Sequence, residues 1–179
     1  MPRLGSAGWL LPWRLLAAAC LLALAGPTGA QATSEQAIKV AFVFNFVKFT
    51  QWPHARETLL FCTQGAQPLD WQFGQFKGQM VNGRTLDVRH NVPSGEWRGC
   101  DVLFLSKSDA GVVDSVQRIL GNAPTLTIAD LPDYAQNGGM IALRVEGTRL
   151  RFDVNLAAVQ RAGLVLSGQM VKLAGKVLQ

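Results

Sequence analysis

Histidine and cysteine, the residues that most often hold metals or act as nucleophiles, are scarce in this chain. The 179 residues include two histidines and three cysteines. His54 and His90 stand alone in polar stretches, without a cysteine or a second histidine at metal-site spacing. The sequence therefore predicts no metal site, and we interpret both histidines as surface residues.

The motifs of common enzyme sites are also missing. The chain has no Gly-x-Ser-x-Gly nucleophile elbow and no glycine-rich phosphate loop. Carboxylates do occur in neighbouring pairs, Asp109 with Asp114 and Asp130 with Asp133. Each pair fits a helix N-terminus, where a carboxylate accepts the free amide protons. We therefore expect a protein that is not an enzyme and carries no cofactor.

Basic residues are spread along the chain and form no long run. Lys and Arg total 17 against 12 Asp and Glu, and no basic stretch is interleaved with aromatic residues, so nucleic-acid binding is not expected. The one local basic cluster fits a solvated outer face, and an acidic partner or a lipid surface is the alternative. Its members are Arg144, Arg149, Arg151 and Arg161.

Long apolar runs are absent apart from one near the N-terminus. Residues 15–25 read LLAAACLLALA, follow Arg3 and Arg14, and precede small residues such as Ala30. A positive segment, a short apolar segment and small residues together are typical of a secretory signal peptide. We assign residues 1–30 to this signal and expect the mature protein to be exported.

Two alternatives to a cleaved signal stay open. One is an uncleaved membrane anchor, although the apolar segment is short for a bilayer span. The other is lipid attachment at Cys20. Residues 31–179 contain no linker, repeat or low-complexity segment, so we expect them to form a single domain.

The chain does contain a regular alternation of apolar segments. Four of them predict strands, at residues 59–62, 85–89, 101–105 and 125–128. Four others predict helices, at residues 38–49, 69–80, 111–120 and 131–136. The alternation predicts a three-layer α/β fold with a mostly parallel sheet flanked by helices, in the Rossmann-like strand order 2-1-3-4.

The C-terminal part adds a hairpin and two helices to this pattern. A glycine pair at residues 138–139 permits a backbone turn, and two short runs follow, at 140–145 and 149–154. The period of two in the second run and the glycine between the runs predict a β-hairpin, added antiparallel to the sheet. Helical spacing then predicts helices at 156–163 and 167–178.

Five segments resemble the YfiR-like family in sequence and in order. They read KVAFVFNFVKFTQWP, VNGRTLDVR, CDVLFLS, LTIAD and GGMIALRVEGTRLRFDVNLAAVQRAGLVLSGQMVKLA. The resemblance covers roughly residues 38–177. It implies that residues 38–49, whose aromatic side chains also suit a strand, form a buried helix. We interpret those aromatic residues as core, with a ligand-binding stripe as the alternative.

The resemblance also implies a location and a function. YfiR-like proteins are periplasmic, and a repressor of this family binds the periplasmic part of an inner-membrane diguanylate cyclase, which lowers cyclic-di-GMP and biofilm formation. A peptidoglycan-associated outer-membrane lipoprotein is implied as a second partner that sequesters the repressor. We therefore expect a non-enzymatic periplasmic regulator. The alternative is a periplasmic small-molecule binding module that signals to a membrane sensor.

Cys62 and Cys100 are the cysteines that remain after signal removal. An even number in an exported chain favours a disulfide, and the predicted strand order places the two on neighbouring strands. Two buried free thiols are the alternative. A bridge would give the repressor a physical route to redox sensitivity, because its loss would loosen the fold.

The apolar content of the C-terminal part exceeds what a hairpin and two helices need for a core. An apolar surface with a charged rim is typical of a protein-binding face, and the resemblance favours that interpretation over a purely structural one. We assign to this partner face Met140, Ile141, Phe152, Asp153, Asn155, Val159, Leu166, Gln169 and Met170. An apolar face on a small domain also favours a homodimer.

The predicted strand order indicates a second candidate site. In an open α/β sheet, ligands bind beyond the carboxyl ends of the strands at the point where the strand order reverses. Gly65, Ser106 and Ser108 follow the two strands on either side of that point. We assign these three residues to a candidate crevice for a small ligand.

Overall fold

The computed structural model describes residues 28–65, 67–106, 111 and 113–179. Residues 35–179 belong to one unit by their internal contacts. The predicted signal peptide lies outside the described part of the chain except for its last residues. No helix in the described part is long and apolar enough to span a bilayer.

Helices and strands alternate along most of the described chain. The α-helices are α1 Thr28–Lys48, α2 Pro68–Gln72, α3 Val113–Leu120, α4 Leu156–Arg161 and α5 Gly168–Lys172. The strands are β1 Thr50–Gln51, β2 Thr58–Gln64, β3 Met80–Val81, β4 Arg84–Arg89, β5 Val102–Leu105, β6 Leu126–Ala129, β7 Ile141–Glu146, β8 Arg149–Asn155, β9 Val165–Leu166 and β10 Val177–Leu178. Two 3₁₀ helices cover Phe73–Phe76 and Ser94–Gly99.

One sheet has the strand order β10-β8-β7-β6-β5-β2-β4-β3. The strands β4, β2, β5 and β6 run parallel, so the predicted order 2-1-3-4 is confirmed. The predicted hairpin is present as the antiparallel pair β7–β8. Its attachment was predicted wrongly, because β7 pairs with β6 in parallel. The segment between β6 and β7 returns the chain from the carboxyl end of β6 to the amino end of β7, as a parallel pair of strands requires.

Successive residues of the central strands pack on opposite faces of this sheet. In β5, Val102 and Phe104 join one apolar cluster, whereas Leu103 and Leu105 join the other. Helices α1, α4 and α5 cover the first face, and α3 with Trp97 covers the second. The predicted three-layer α/β architecture is therefore confirmed.

The aromatic segment at residues 38–49 is helical, as the resemblance implied, and forms most of α1. Val43 and Val47 are buried against the sheet. After the helix ends, the Thr50 hydroxyl donates to the Phe46 carbonyl oxygen at 2.6 Å. Trp52 follows, and its Nε1 donates to the carbonyl oxygen of Asp101 at 3.1 Å. These bonds direct the chain from α1 into β1 and β2.

Two predicted helices in the middle of the chain are wrong in extent or type. The segment 69–80 divides into α2, a 3₁₀ helix and β3, because glycines interrupt it and Gly78 adopts a left-handed φ of 79°. The segment 131–136 forms turns. Asp130, which we expected to cap a helix there, pairs with Lys39 instead.

The last predicted helix, at residues 167–178, is also too long. It ends as α5 at Lys172, and β10 follows and pairs with β8 in parallel. Gly175 explains the change, because a Cβ at this position would meet the side chains of Arg144 and Asp153. The missing side chain lets the backbone approach β8 closely enough to add a strand.

Candidate functional site

Aromatic side chains of α1 form one wall of a groove. Phe42 and Phe46 are four residues apart and therefore lie on one face of the helix. Their ring centroids lie 6.1 and 4.9 Å from that of Phe152 on β8. Phe49 continues the same face and is 38% exposed. The three packed rings fix α1 against the sheet and leave Phe49 at the surface.

The opposite wall comes from α5, near the C-terminus. The Ser167 hydroxyl caps this helix by accepting a hydrogen bond from the Gln169 amide at 3.3 Å. The Ser167 amide donates to the Phe49 carbonyl oxygen at 2.9 Å, and Thr50 pairs with Leu166 between β1 and β9. These backbone bonds hold α5 beside the end of α1.

Between the two walls lies an apolar cavity of about 250 Å³. Phe152 and Met170 are buried beneath it, whereas Leu173 at its edge is 72% exposed. Its polar side chains are Asn45 and Gln169, and none of its lining residues is charged. We call this surface the α1–α5 groove, lined by Phe42, Asn45, Phe46, Phe49, Phe152, Gln169, Met170 and Leu173.

A buried ion pair fixes α1 to the sheet at a second place. Lys39 Nζ lies 2.8 Å from Asp130 Oδ2 and 2.6 Å from Glu35 Oε1. Burial lowers the pKa of Lys39, but hydrogen bonds and charge attraction from Asp130 and Glu35 outweigh burial and raise the pKa overall. Lys39 is therefore charged at neutral pH and ties α1 to the carboxyl end of β6. We call Lys39 and Asp130 the α1 clamp.

Three residues of the predicted partner face line the α1–α5 groove: Phe152, Gln169 and Met170. The other apolar residues of that prediction are at most 8% exposed and lie in the core of the first sheet face: Met140, Ile141, Val159 and Leu166. For these four residues the structure agrees with the alternative interpretation, in which they serve only the core. They are buried because α4 and α5 cover the sheet at this end.

The two remaining residues of the predicted face hold the fold together. Asp153 is buried and accepts hydrogen bonds from Arg144 Nε at 3.2 Å and from the Lys176 amide at 3.0 Å. The hydrogen bond with Asp153 is the main reason why the pKa of Arg144 is raised. Asn155 caps α4, because its side-chain oxygen accepts from the Ala158 amide at 2.9 Å.

Cys62 and Cys100 form a disulfide, with their Cα atoms 6.0 Å apart. Cys62 lies on β2 and Cys100 precedes β5, and these strands are parallel neighbours in the sheet. Both cysteines are buried in the cluster that contains Trp97. The bridge therefore links two central strands on the sheet face opposite the α1–α5 groove.

The candidate crevice lies where β2 and β5 end. Gln64 and Leu105 are partners in register, so Gly65 and Ser106 leave the sheet side by side. Gly65 has a left-handed φ of 114°, and Ser106 is buried. Ser108 lies outside the described residues. Ligand binding at this crevice stays a prediction.

The two histidines occupy different surroundings. His54 Nε2 lies 3.1 Å from Asp101 Oδ1, so this histidine is partly buried against a carboxylate and is not a simple surface residue as predicted. The ring of His90 lies 4.7 Å from that of Trp71, and burial lowers the pKa of His90. Among the described residues, no three His, Cys, Asp or Glu side chains gather as metal ligands.

Several groove residues were not predicted as binding residues. Phe42, Asn45 and Phe49 recur at one-turn spacing along α1, which is a visible signal in the sequence. The pattern was interpreted as core packing, because a helix with apolar residues on several sides reads as buried. Leu173 was missed because its exposure depends on where α5 ends.

The fold and the groove together define the class of protein. It is a three-layer α/β domain that presents an uncharged, aromatic-lined surface of the kind that binds other molecules. The sequence model of the YfiR/HmsC-like family matches residues 36–175, and the chain belongs to that family. The resemblance found in the sequence is thus confirmed, and the family is one of periplasmic regulators.

Solved structures that are similar to this chain include two of named origin. A conserved domain protein from Vibrio cholerae has a TM-score of 0.53 at 9% identity, over 77% of this chain and 59% of that chain. The ABC domain from Streptococcus pneumonia, solved with L-Trp, has a TM-score of 0.45 at 11% identity, over 68% and 56%. This chain spans less than two thirds of either protein. The Vibrio structure supports the α/β fold, and the second is too distant to carry an argument.

Proposed function

We propose that this protein is a periplasmic repressor that binds the periplasmic part of an inner-membrane diguanylate cyclase through the α1–α5 groove. Repression of the cyclase lowers cyclic-di-GMP and biofilm formation. The observation that carries the proposal is an exposed apolar groove in a chain of the YfiR/HmsC-like family. The protein has no catalytic role in this proposal; it acts by binding its partner.

The shape of the groove supports a segment of protein as the occupant. A helix or an extended segment with two or three apolar anchors fits a groove between two helices. Asn45 and Gln169 supply polar contacts at its border, whereas Phe49 and Leu173 are already exposed. Covering a fully exposed side chain of this size contributes about 1.5–3 kcal/mol, and the gain scales with the exposed fraction, which is 38% for Phe49 and 72% for Leu173. Two such side chains are enough to dominate an interface.

A competing partner is part of the same proposal. A peptidoglycan-associated outer-membrane lipoprotein would relieve repression by sequestering the repressor, and occupancy of the same groove is the simplest way to do so. Adding the purified lipoprotein to a mixture of repressor and cyclase should then restore cyclic-di-GMP synthesis. A lipoprotein that binds without restoring synthesis would contradict this part.

A charge placed at the edge of the groove tests the proposal directly. Leu173→Glu puts a carboxylate where the partner needs an apolar contact, so we expect binding to the cyclase to weaken at least tenfold. The matched control is Met80→Glu, because Met80 is also apolar and 63% exposed. Met80 lies on the edge strand β3, and five strands separate β3 from the β8 that supports the groove.

The measurement is capture of detergent-solubilised inner-membrane proteins on the immobilised protein, followed by an assay of cyclic-di-GMP synthesis by the captured cyclase. Wild type and Met80→Glu should capture the cyclase and inhibit it, and Leu173→Glu should do neither. Equal capture by all three proteins would place the interface elsewhere. Light scattering adds one further outcome: a dimer that Leu173→Glu dissociates would mean that a second copy occupies the groove.

A further inference from the structure

A second cavity adjoins the α1–α5 groove at the end of α1. Its volume is about 420 Å³, against about 250 Å³ for the groove, and Phe49 lines both. A molecule that fills the groove therefore lies next to this cavity. The lining residues come from the end of α1 and the segment after it, from β2, from the β3–β4 turn with the start of β4, and from the cap of α5: Lys48, Phe49, Thr50, Gln51, Trp52, Leu59, Asn82, Arg84 and Ser167.

The wall of this cavity carries two positive charges and no negative one. Lys48 and Arg84 line it, and its other lining residues are uncharged. Neither cation forms an ion pair with a residue in the described part of the chain. Like charges that share a cavity repel each other, and an anion in the cavity offsets this repulsion. The electrostatics of the cavity therefore favour an anionic ligand.

The two cations differ in what they can contact. Lys48 is exposed, so its ammonium group can reach a ligand at the mouth of the cavity. Arg84 is half-buried, and its Nη2 donates to the carbonyl oxygen of His54 at 2.5 Å, which fixes the guanidinium at the wall. Because Nη1 is buried, Arg84 acts on a ligand mainly through its charge, which solvent screens less at such a position than at the surface.

The backbone carbonyls at the end of α1 do not compete for these cations. The C-terminus of a helix usually presents free carbonyl oxygens, which disfavour an anion. The Lys48 oxygen, however, accepts from the Asn82 side chain at 2.9 Å, and the Phe49 oxygen accepts from the Ser167 amide at 2.9 Å. The Ser167 hydroxyl accepts from the Gln169 amide, so its own proton is available to a ligand oxygen.

We infer that this cavity binds the carboxylate of an acidic side chain that lies beside the apolar anchors of the docked partner segment. The inference rests on the proposed function, because the occupant of the α1–α5 groove supplies the acidic residue. Lys48, the Ser167 hydroxyl and the charge of Arg84 hold the carboxylate. The buried side chains of Trp52 and Leu59 form the apolar part of the wall and pack against its methylene groups. We call this cavity the Lys48 pocket.

The pocket itself is tested with a probe that does not involve the partner. The purified protein is titrated with N-acetylglutamate amide, which carries one side-chain carboxylate, and with its neutral analogue N-acetylglutamine amide. In two-dimensional NMR, the acidic probe should shift the amides of Gln51, Asn82 and Ser167 with a dissociation constant of about 5 mM. The neutral probe should bind at least tenfold more weakly. Unmoved amides at ten times that concentration, equal binding of the two probes, or tighter binding of inorganic phosphate would overturn the inference.

Variants of Lys48 show whether its charge holds the probe. Lys48→Gln should weaken binding of N-acetylglutamate amide about tenfold, and Lys48→Arg, which keeps the charge, should restore most of the affinity. Lys77→Gln is the matched control, because Lys77 is also exposed and lies outside the cavity. All three variants should melt within about 2 °C of wild type, since exposed charges contribute little to stability. Unchanged affinity in Lys48→Gln would overturn the assignment of the pocket.

The partner is tested separately, in the capture assay with solubilised inner-membrane proteins. Lys48→Gln should capture less cyclase than wild type, and added salt should reduce capture by wild type more than by Lys48→Gln, because salt screens a charged contact. Equal capture by the two proteins would overturn the inference that an acidic side chain of the partner occupies the pocket. No capture by wild type would overturn the proposed function and the identity of the occupant, whereas the carboxylate site would stand on the probe alone.

Discussion

The fold requires a glycine at position 139 because no larger side chain fits there. It belongs to the glycine pair before β7, and its missing side chain is where the ring of Tyr134 packs. Gly138 adds a backbone requirement, because its φ of 92° is left-handed. The pair therefore does more than permit a turn, which was its interpretation from sequence.

Replacing Gly139 with alanine should destabilise the protein. The new Cβ overlaps the buried ring, and overpacking of this kind costs about 1–3 kcal/mol. We expect Gly139→Ala to lower the melting temperature by about 3–9 °C for a domain of this size. Differential scanning calorimetry measures this shift.

Gly95 provides the matched control for that substitution. It has an ordinary φ, and a Cβ at this position would meet nothing within 4 Å. Gly95→Ala should therefore leave the melting temperature unchanged or slightly raised. If both variants melted at the same temperature, the close packing of Gly139 on Tyr134 would not be real.

Helix α1 is the element on which the groove depends. It supplies one wall through Phe42, Phe46 and Phe49, and its attachments to the sheet include two beside the buried valines. One is the packing of its rings on Phe152, and the other is the α1 clamp. The groove therefore exists only while α1 is docked.

Breaking the α1 clamp from the helix side should loosen this element. Lys39→Met leaves Asp130 buried without its cation, which costs about 3–5 kcal/mol. We expect a corresponding loss in the free energy of unfolding, measured by urea denaturation. Hydrogen exchange should also become faster in α1 than in β5 or β6.

The double variant Lys39→Met, Asp130→Leu is the control, because removing both charges leaves no unpaired ion. It should recover most of the lost stability, and failure to do so would show that the loss came from side-chain packing.

The clamp also predicts a pH dependence of stability. Since the pKa of Lys39 is raised in the folded protein, the stabilisation is complete below the unfolded pKa of about 10.4 and is lost as the pH rises through the folded value.

At the scale of the whole molecule, the disulfide links two central strands of the sheet. Closing a loop of this length stabilises a protein by roughly 3–4 kcal/mol in the chain-entropy model. We expect the reduced and alkylated protein to melt about 10 °C below the oxidised protein. Equal melting temperatures would contradict a stabilising role for the bridge.

The same bridge gives a test of redox sensitivity in the proposed repressor. The variant with Cys62→Ser and Cys100→Ser cannot form the bridge, so it should inhibit the cyclase less than wild type under oxidising conditions. Wild type in reductant should behave like the variant. A variant that represses as well as wild type in both conditions would separate the disulfide from regulation.

Much of the architecture was predictable because it depends on local pattern. The strands β2, β4, β5 and β6 are short apolar runs between polar turns, and their order follows from right-handed crossovers. The extents of α2 and α5 were not predictable in the same way. Gly78 ends the first helical pattern because it adopts a left-handed turn conformation. Gly175 ends the second because its backbone lies against side chains of β7 and β8.

The candidate sites were predictable only in part. Phe152, Gln169 and Met170 belong to the groove, but Asp153 and Asn155 make bonds within the fold that no sequence period shows. An apolar residue in a sequence is equally suited to a core or to an interface. The neighbouring elements decide between them.

The sequence by itself determined the α/β class, the strand order of the parallel core and the membership of the family, because hydrophobic period and motif order are properties of the chain. Tertiary structure alone decided which apolar residues stay exposed, that Lys39 meets Asp130, and that Lys48 and Arg84 line one cavity. These facts depend on contacts between residues far apart in sequence. Such contacts exist only after helices α1, α4 and α5 have packed on the sheet.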